Sequence, residues 1–105
     1  MDKLVEIHTI DDYKNAIENK SIILFTASWC PDCVFIKPFI GEIGDKYNEF
    51  QFYVVDRDEM IDLCKDLDIM GIPSFIGYVN GKETGRFVSK LRKTKDQIEA
   101  FIESL

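Results

Sequence analysis

Hydrophobic and polar residues recur along the chain with two periods, which predict strands and helices in alternation. The segment VEIHTI (5–10) alternates apolar and polar residues, with Val5 and Ile7 on one face, and predicts a half-buried strand. In DDYKNAIENK (11–20), apolar residues recur at helical spacing. The continuous apolar run IILF (22–25) then predicts a strand that is covered on both faces.

The middle of the chain repeats this alternation. From Pro31 onward, apolar residues recur every three or four positions and predict an amphipathic helix. Its stripe consists of Ile36, Phe39, Ile40, Ile43 and Tyr47. Pro38 lies inside this helix and should bend it, because proline removes one backbone donor. QFYVVD (51–56) predicts another buried strand, and EMIDLCKDL (59–67) carries a further helical stripe.

The end of the chain predicts a hairpin and a closing helix. GIPSFIGYV (71–79) and ETGRFVS (83–89) flank Asn80-Gly81, a pair that suits the positive φ angles of a tight turn. The last helix opens at Thr94 with Gln97 three residues later, which is a capping box. It should bury Ile98, Phe101, Ile102 and Leu105. The predicted order is βαβαβαββα, an α/β architecture in one domain over residues 1–105.

Composition and charge narrow the range of partners. The 105 residues are 46% hydrophobic and 30% charged, the balance of an ordinary globular protein. Thirteen basic and nineteen acidic side chains give a formal charge of −6, which argues against nucleic acid or an anionic membrane as the main partner. No apolar run approaches the ~18 residues that span a bilayer. The N-terminus lacks the apolar core of a signal peptide, so we expect a cytoplasmic protein.

Two of the three cysteines lie close together, in WCPDC (29–33). A structural zinc site needs about four ligands. Beyond Cys30 and Cys33, the chain offers Cys64 and the single histidine, His8, and neither has a partner at ligand spacing. Cys64 shares an apolar stripe and is expected in the core, whereas His8 lies on the polar side of the first strand. A zinc site within one chain is therefore not expected, although a cluster bridging two chains stays open.

A redox role for the pair fits the local physics. If a helix begins near Pro31, the Cys30 sulfur lies beside unpaired N–H groups and the positive end of the helix dipole. Proline suits the first helical turn because its missing donor is not needed there. That setting stabilises a thiolate, the form that attacks disulfides. Cys33, one turn further along the helix, should be more buried and should resolve the mixed disulfide that Cys30 forms.

The whole chain resembles the thioredoxin family. The resemblance rests on WCPDC (29–33), on Pro38 five residues past the second cysteine, and on Ile72-Pro73-Ser74. It implies a thioredoxin fold, with a central mixed sheet and helices on both faces. It also implies that the Ile72–Pro73 bond is cis and lies beside Cys30, where an extended substrate peptide would bind.

The resemblance implies roles for the neighbours of the two thiols and a function. Trp29, Pro31 and Asp32 would be active-site neighbours, and Trp29, Ile72 and Pro73 would bind substrate. The chain would be a monomeric thiol–disulfide oxidoreductase that reduces disulfides of proteins or small thiols through Cys30 and Cys33. It would carry no bound cofactor and would receive electrons from a thioredoxin reductase.

Two alternatives remain open from the sequence. One is a glutathione-linked reductant of the glutaredoxin type, which the CPxC centre favours. The other is a thioredoxin-fold module that binds peptides without turnover, against which the presence of both cysteines counts.

The chain departs from the family at four positions. Typical thioredoxins carry a buried Asp six residues before the first active-site cysteine and a Lys that faces it. Leu24 and Val54 stand at these positions. A second Trp is replaced by Thr26, and the glycine of the loop before the last helix by Ser89. Without the buried acid and its partner, we expect slower turnover on general substrates than an ordinary thioredoxin shows.

Asp32 modifies the expected reactivity of Cys30. Its charge is favourable near a helix N-terminus, yet it opposes a thiolate in the same field. The two effects nearly cancel, so we expect a Cys30 thiol that is only mildly activated. The simpler alternative is that Asp32 is a helix-start acid without redox effect.

Overall fold

The computed structural model describes residues 4–105, which form five strands and four helices in the predicted order. The strands are β1 (Val5–Ile7), β2 (Ser21–Thr26), β3 (Gln51–Asp56), β4 (Ser74–Val79) and β5 (Lys82–Phe87). The helices are α1 (Ile10–Ala16), α2 (Pro31–Lys46), α3 (Ile61–Asp66) and α4 (Lys95–Glu103). The alternation of periods in the sequence thus predicted every one of these elements.

The five strands form one mixed sheet in the order β1-β3-β2-β4-β5. β1 and β2 both run parallel to β3, whereas β4 is antiparallel to β2 and to β5. β2 is therefore the central strand, which explains the continuous apolar run from Ile22 to Phe25. All four of these side chains are fully buried. The segment that follows β2, with the two neighbouring cysteines, consequently leaves the sheet at its centre.

Helices cover both faces of the sheet, as predicted. On one face, α2 and α4 bury isoleucines against β2 and β4, and burial of one such side chain contributes about 1.5–3 kcal/mol. This core includes Leu24, Ile36, Ile40, Ile43, Phe75, Ile98 and Ile102. On the other face, α1 and α3 pack on the sheet. That core includes Ile7, Tyr13, Ala16, Phe25, Val55, Cys64 and Ile76.

The first strand is shorter than the sequence predicted. A strand over VEIHTI (5–10) was expected, but β1 ends at Ile7 and α1 begins at Ile10. Thr9 is the N-cap: its hydroxyl accepts from the Asp12 N–H at 3.0 Å, and the Asp12 carboxylate accepts from the Thr9 N–H at 3.2 Å. The prediction was wrong at this boundary because the capping pattern T-x-x-D was read as part of the alternation.

The burial expected for β1 also holds only in part. Ile7 is 2% exposed and packs with Tyr13 and Ala16 of α1. Val5, predicted on the same buried face, is 48% exposed. β1 is an edge strand whose cover by α1 reaches Ile7 and stops short of Val5.

The hairpin and the cap of the last helix follow the sequence. Of the residues expected to be buried by this helix, Ile98 and Ile102 are buried, whereas Phe101 and Leu105 are half-buried and α4 ends before Leu105. Asn80 and Gly81 both have positive φ, 52° and 80°, as the tight turn between β4 and β5 requires. Gln97 N–H donates to the Thr94 hydroxyl at 3.2 Å, and the Gln97 side chain accepts from the Thr94 N–H at 2.9 Å. β4 begins at Ser74, so the glycine, isoleucine and proline before it form a loop.

α2 is the longest helix of the structure, with 16 residues, and it continues through Pro38. The bend at Pro38 stays a prediction. Within residues 4–105, no helix has the length and apolar character needed to cross a membrane.

Candidate active site

The two neighbouring cysteines lie at the start of α2. Cys30 is the N-cap residue, with extended backbone (φ −83°, ψ 117°), and Pro31 occupies the first helical position. The Cys30 carbonyl accepts from the N–H groups of Cys33 and Val34, at 3.1 and 3.0 Å. Proline fixes its own φ near the helical value and needs no donor in the first turn, so the sequence CP sets where the helix begins.

Both thiols are buried and free, and they pack in one small cluster with Ala27 and Ile72. Cys30 is 6% exposed and Cys33 is 2% exposed, so Cys33 is the deeper of the two. The sulfur of Cys30 faces the loop before β4, whereas Cys33 lies one turn inside α2 under the end of β2.

Burial raises the pKa of the Cys33 thiol to about 11. A hydrogen bond from the Thr26 side chain lowers this pKa, and a hydrogen bond with Cys30 raises it further. Desolvation disfavours the charged form of a thiol, so Cys33 is protonated at neutral pH. Thr26, at the position where the resemblance implied a second Trp, thus places a hydroxyl next to the deeper thiol.

The Ile72–Pro73 peptide bond is cis, as the resemblance implied. Cys30 Sγ donates to the Ile72 carbonyl oxygen at 3.7 Å, which places the cis peptide directly beside this thiol. The preceding Gly71 lies close to the loop between β5 and α4. A Cβ at Gly71 would stand 2.2 Å from the Ser89 carbonyl oxygen, so only glycine allows this approach of two backbones.

Trp29 lies at the surface, with 58% of its area exposed. Its indole Nε1 donates to Asp58 Oδ2 at 2.6 Å, and the Arg57 guanidinium is 5.8 Å from the ring centre. Asp58 was not predicted as a site residue. Two acids, Asp58 and Glu59, follow β3, but the sequence does not indicate which of them reaches the Trp29 indole.

Asp32 is paired with a distant cation. Arg92 Nε donates to Asp32 Oδ1 at 2.8 Å across 60 residues of chain, and the Arg92 guanidinium also lies 4.4 Å from the centre of the Phe35 ring. Arg92 was not predicted. Its charge partly compensates that of Asp32, which weakens the repulsion of the Cys30 thiolate that the sequence suggested.

The residue after Arg92 is a buried lysine. Lys93 is 1% exposed, and its Nζ donates to the carbonyl oxygens of Ser89 at 3.1 Å and Leu91 at 3.0 Å. Burial lowers its pKa, while Asp32 and the ionised forms of Cys33 and Cys30 act in the opposite direction. Nothing in the sequence pattern distinguished this lysine from the three other basic residues around it.

The sheet beneath the thiols is apolar where the family's acid and lysine would stand. Leu24 of β2 pairs directly with Val54 of β3 in the parallel register. Leu24 is fully buried and Val54 is half-buried. The two residues are therefore neighbours across β2 and β3, and neither carries a charge.

A cleft of about 390 Å³ reaches Cys33 from the side of β1 and β3. Thr26, Lys37 and Asp56 line it, together with an ion pair between His8 and Glu59. The Nδ1 of His8 is 2.8 Å from Glu59 Oε1, and this hydrogen bond raises the His8 pKa above its usual value. His8 is exposed, in the turn after β1 and not on the strand itself.

The third cysteine lies away from the pair. Cys64 on α3 is 3% exposed and packs in the core, as predicted, and burial raises its pKa to about 11. In the part of the chain that the structure describes, no group of three or more His, Cys, Asp or Glu residues is placed to hold a metal ion.

Comparison with known proteins agrees with this geometry. The family model described as Thioredoxin matches residues 4–104. An H-type thioredoxin of Brassica campestris is 34% identical over 104 residues, covering 93% of this chain and 82% of the relative. A thioredoxin of Gallus gallus is 33% identical over 94 residues, covering 90% of this chain and 87% of the relative.

Solved structures share the fold. Thioredoxin from Trypanosoma brucei brucei matches with a TM-score of 0.85 and 19% identity, over 96% of this chain and 88% of that one. A thioredoxin of Malassezia sympodialis matches with a TM-score of 0.83 and 26% identity, over 96% and 89% of the two chains. The chain belongs to the thioredoxin family and is a thiol–disulfide oxidoreductase that reduces protein disulfides.

Proposed function

We propose that Cys30 is the attacking thiol of this oxidoreductase and that Cys33 resolves the mixed disulfide. The observation that carries the assignment is the asymmetry of the pair. Cys30 lies at the N-terminus of α2 with its sulfur at the Ile72 carbonyl, whereas Cys33 is deeper and burial raises its pKa to about 11. A thiol at a helix start is the better nucleophile, because unpaired N–H groups there stabilise its anion.

The reaction then proceeds in two exchanges that balance. The Cys30 thiolate attacks one sulfur of the substrate disulfide, that disulfide breaks, and the departing sulfur leaves as a thiolate that takes up a proton. Cys33 loses its proton and attacks Cys30 Sγ, which forms the Cys30–Cys33 disulfide and releases the second substrate sulfur. Two electrons and two protons pass to the substrate, which leaves as a dithiol.

Substrate binding is assigned to Trp29, Ile72 and Pro73. Trp29 is exposed, and the loop before β4 presents the Ile72 backbone beside Cys30. An extended peptide placed along this loop would bring its disulfide to the Cys30 sulfur. Pro31 supports the site because the helix starts there. Asp32 lies between the two thiols in the first turn of α2, where its charge acts on the site.

The proposal extends to the partners and the place of action. The chain acts as a monomer of one domain in the cytoplasm, where a reducing environment keeps the pair available as a dithiol. The pair itself carries the electrons, with no bound cofactor, and a thioredoxin reductase returns it to the dithiol. Protein disulfides, or disulfides of small thiols, are the substrates.

Insulin reduction with NADPH and a thioredoxin reductase tests these roles. Cys30→Ser should abolish turnover, and Cys33→Ser should stop after the first exchange and accumulate the mixed disulfide. Cys64→Ala is the matched control, since Cys64 lies in the core. We expect it to keep the activity of the unaltered chain, and we expect that chain to be slower than an ordinary thioredoxin because Leu24 and Val54 supply no buried acid.

Other outcomes select the alternatives. Turnover with glutathione and glutathione reductase, but none with thioredoxin reductase, would indicate a glutaredoxin-type reductant. Turnover that survives Cys30→Ser would overturn the assignment of the nucleophile. The potential of the pair, measured in defined thiol–disulfide buffers, should lie near or below about −250 mV, in the range of reductants.

A further inference from the structure

Lys93 is a buried charge that the exchange steps do not use. Within residues 4–105 it is the one charged residue that is buried, with 1% of its area exposed. Burying an ammonium removes its hydration and is costly unless other groups replace the water. A lysine at such a position therefore needs a compensating environment.

Carbonyl oxygens and an aromatic ring provide part of that environment. The Nζ donates to Ser89 O and Leu91 O, and it lies 5.2 Å from the centre of the Phe87 ring. Lys93 takes part in none of the ion pairs formed within residues 4–105. The Lys93 charge is thus stabilised by two carbonyl dipoles and by the face of an aromatic ring, and no carboxylate of the described residues lies at contact distance from it.

The two carbonyl contacts fix the loop between β5 and α4 where it meets the active site. The Ser89 carbonyl packs against Gly71, the residue before Ile72, whose own carbonyl accepts from Cys30 Sγ. The Leu91 carbonyl belongs to the residue before Arg92, which pairs with Asp32 between the two thiols. The Lys93 ammonium therefore holds two parts of this loop, at Ser89 and at Leu91, next to the residues that surround the Cys30–Cys33 pair.

The charges that face Lys93 come from the start of α2. They are Asp32 and the ionised forms of Cys33 and Cys30, and a negative charge on any of these groups favours the charged ammonium, against the effect of burial. Arg92, on the same loop, is paired with Asp32. On the other side of the thiols, Leu24 and Val54 of the sheet are apolar, whereas Lys37 and Asp56 line the cleft that reaches Cys33.

We propose that Lys93 is a positioning residue of the thiol–disulfide reaction, which holds the loop before α4 against the Cys30–Cys33 pair and whose buried ammonium favours the thiolate form of the reduced pair. The inference rests on the proposed roles of the two cysteines. Coupling between two charges is reciprocal, so a thiolate must stabilise the ammonium by the same free energy by which the ammonium stabilises the thiolate.

The first test replaces the charge and keeps the length of the side chain. In Lys93→Met, we expect the midpoint of the thiolate titration, followed by absorbance near 240 nm, to rise by about half a pH unit or more, a roughly threefold loss of thiolate below the midpoint. Lys95→Met is the matched control, because Lys95 is on the outer face of α4 and pairs with Glu42. An unchanged or lowered midpoint in Lys93→Met would overturn the inference.

The second test compares two redox forms of the unaltered protein. NMR titration of the Lys93 side chain in the dithiol and the disulfide forms should give a higher pKa in the dithiol form. The difference should match, in pH units, the shift of the thiolate midpoint in Lys93→Met. Equal Lys93 pKa values in both forms would overturn the inference alone. A pair that forms no disulfide under oxidising buffer would instead overturn the proposed function.

Discussion

Arg92 Nε donates a 2.8 Å hydrogen bond to Asp32 Oδ1, which joins the loop before α4 to the middle of the WCPDC motif. The side chains of Arg92 and Asp32 are 52% and 29% exposed, so water screens their attraction. Exposed pairs of this kind contribute about 0–1 kcal/mol to stability. We expect the pair to matter through electrostatics, because Arg92 offsets part of the negative charge that Asp32 places near the Cys30 thiolate.

Removal of Asp32 and removal of Arg92 should shift the midpoint of the thiolate titration in opposite directions. In Asp32→Asn, loss of a negative charge should lower the midpoint, by up to about half a pH unit because Arg92 already compensates part of it. In Arg92→Gln, the unpaired Asp32 carboxylate should raise the midpoint. Absorbance near 240 nm across the titration measures both shifts, and the double variant should lie between the two.

Arg86→Gln serves as the control for the loss of an arginine, since Arg86 pairs with Glu83 on β5 and not with the active site. Its thiolate midpoint should equal that of the unaltered chain. An unchanged or raised midpoint in Asp32→Asn would contradict the view that Asp32 opposes the Cys30 anion.

Periodicity predicted the elements of this fold because helix and strand geometry fix the spacing at which residues face the core. The continuous apolar run in β2 was legible for this reason, and the Thr94–Gln97 capping box was legible as a hydrogen-bonding motif. The end of β1 was not legible, because the capping box that follows it, formed by Thr9 and Asp12, has Asp in place of the usual Glu or Gln.

The chemistry of the site was legible only in part. WCPDC is a short motif, so the sequence located the thiols, whereas the cis bond of the Ile72-Pro73 pair was implied by the resemblance to the thioredoxin family. Asp58, Arg92 and Lys93 contact the site from loops far along the chain. Their roles depend on which loops pack against the active site, and the order of residue types in a charged stretch does not reveal that packing.

The two active-site thiols should differ strongly in their rate of alkylation. Burial raises the pKa of Cys33 to about 11, so on the order of one thousandth of it is thiolate at pH 8. Iodoacetamide should therefore modify Cys30 in Cys33→Ser at least tenfold faster than Cys33 in Cys30→Ser. Mass spectrometry of quenched samples gives both rates.

Cys64 provides an internal reference in the same samples. It is as buried as Cys33, and its pKa is also raised to about 11 by burial, so it should stay unmodified while the protein is folded. Equal rates for Cys30 and Cys33, with Cys64 still protected, would argue against Cys30 as the nucleophile.

The ion pair between His8 and Glu59, beside the cleft, predicts that His8 titrates with a raised pKa. The hydrogen bond to Glu59 raises the His8 pKa above 6.5, and nearby Glu6 and Asp12 act in the same direction. Stability from this pair is therefore fully present below pH 6.5 and is lost as the pH rises through the raised value. His8 is the single histidine, so its NMR signals need no further assignment.

Glu59→Gln should lower the His8 pKa towards 6.5, because it removes the charge that holds the imidazolium. Glu42→Gln, which changes a carboxylate on α2 that pairs with Lys95, should leave the titration unchanged. A His8 pKa that is the same in Glu59→Gln and the unaltered chain would show that the pair does not form in solution.

Gly71→Ala should destabilise the protein, because the new Cβ meets backbone and not a flexible side chain. It would lie 2.2 Å from the Ser89 carbonyl oxygen and 2.7 Å from Lys90 Cα, so the loop that carries Arg92 and Lys93 must move. Overpacking of this kind typically costs about 1–3 kcal/mol in the free energy of unfolding. Urea denaturation with an unchanged slope measures the loss.

Gly44→Ala is the matched control for this substitution. Gly44 lies in α2, where a Cβ would be 3.9 Å from the Phe52 ring, an ordinary contact. Alanine is the better helix former by about 1 kcal/mol, so this variant should be as stable as the unaltered chain or more stable. Because the loop also orders the surroundings of Cys30, Gly71→Ala should slow insulin reduction, and Gly44→Ala should not. A Gly71→Ala protein of unchanged stability would mean that the loop adjusts without cost, and its activity would then show whether the position of the loop matters to the thiols.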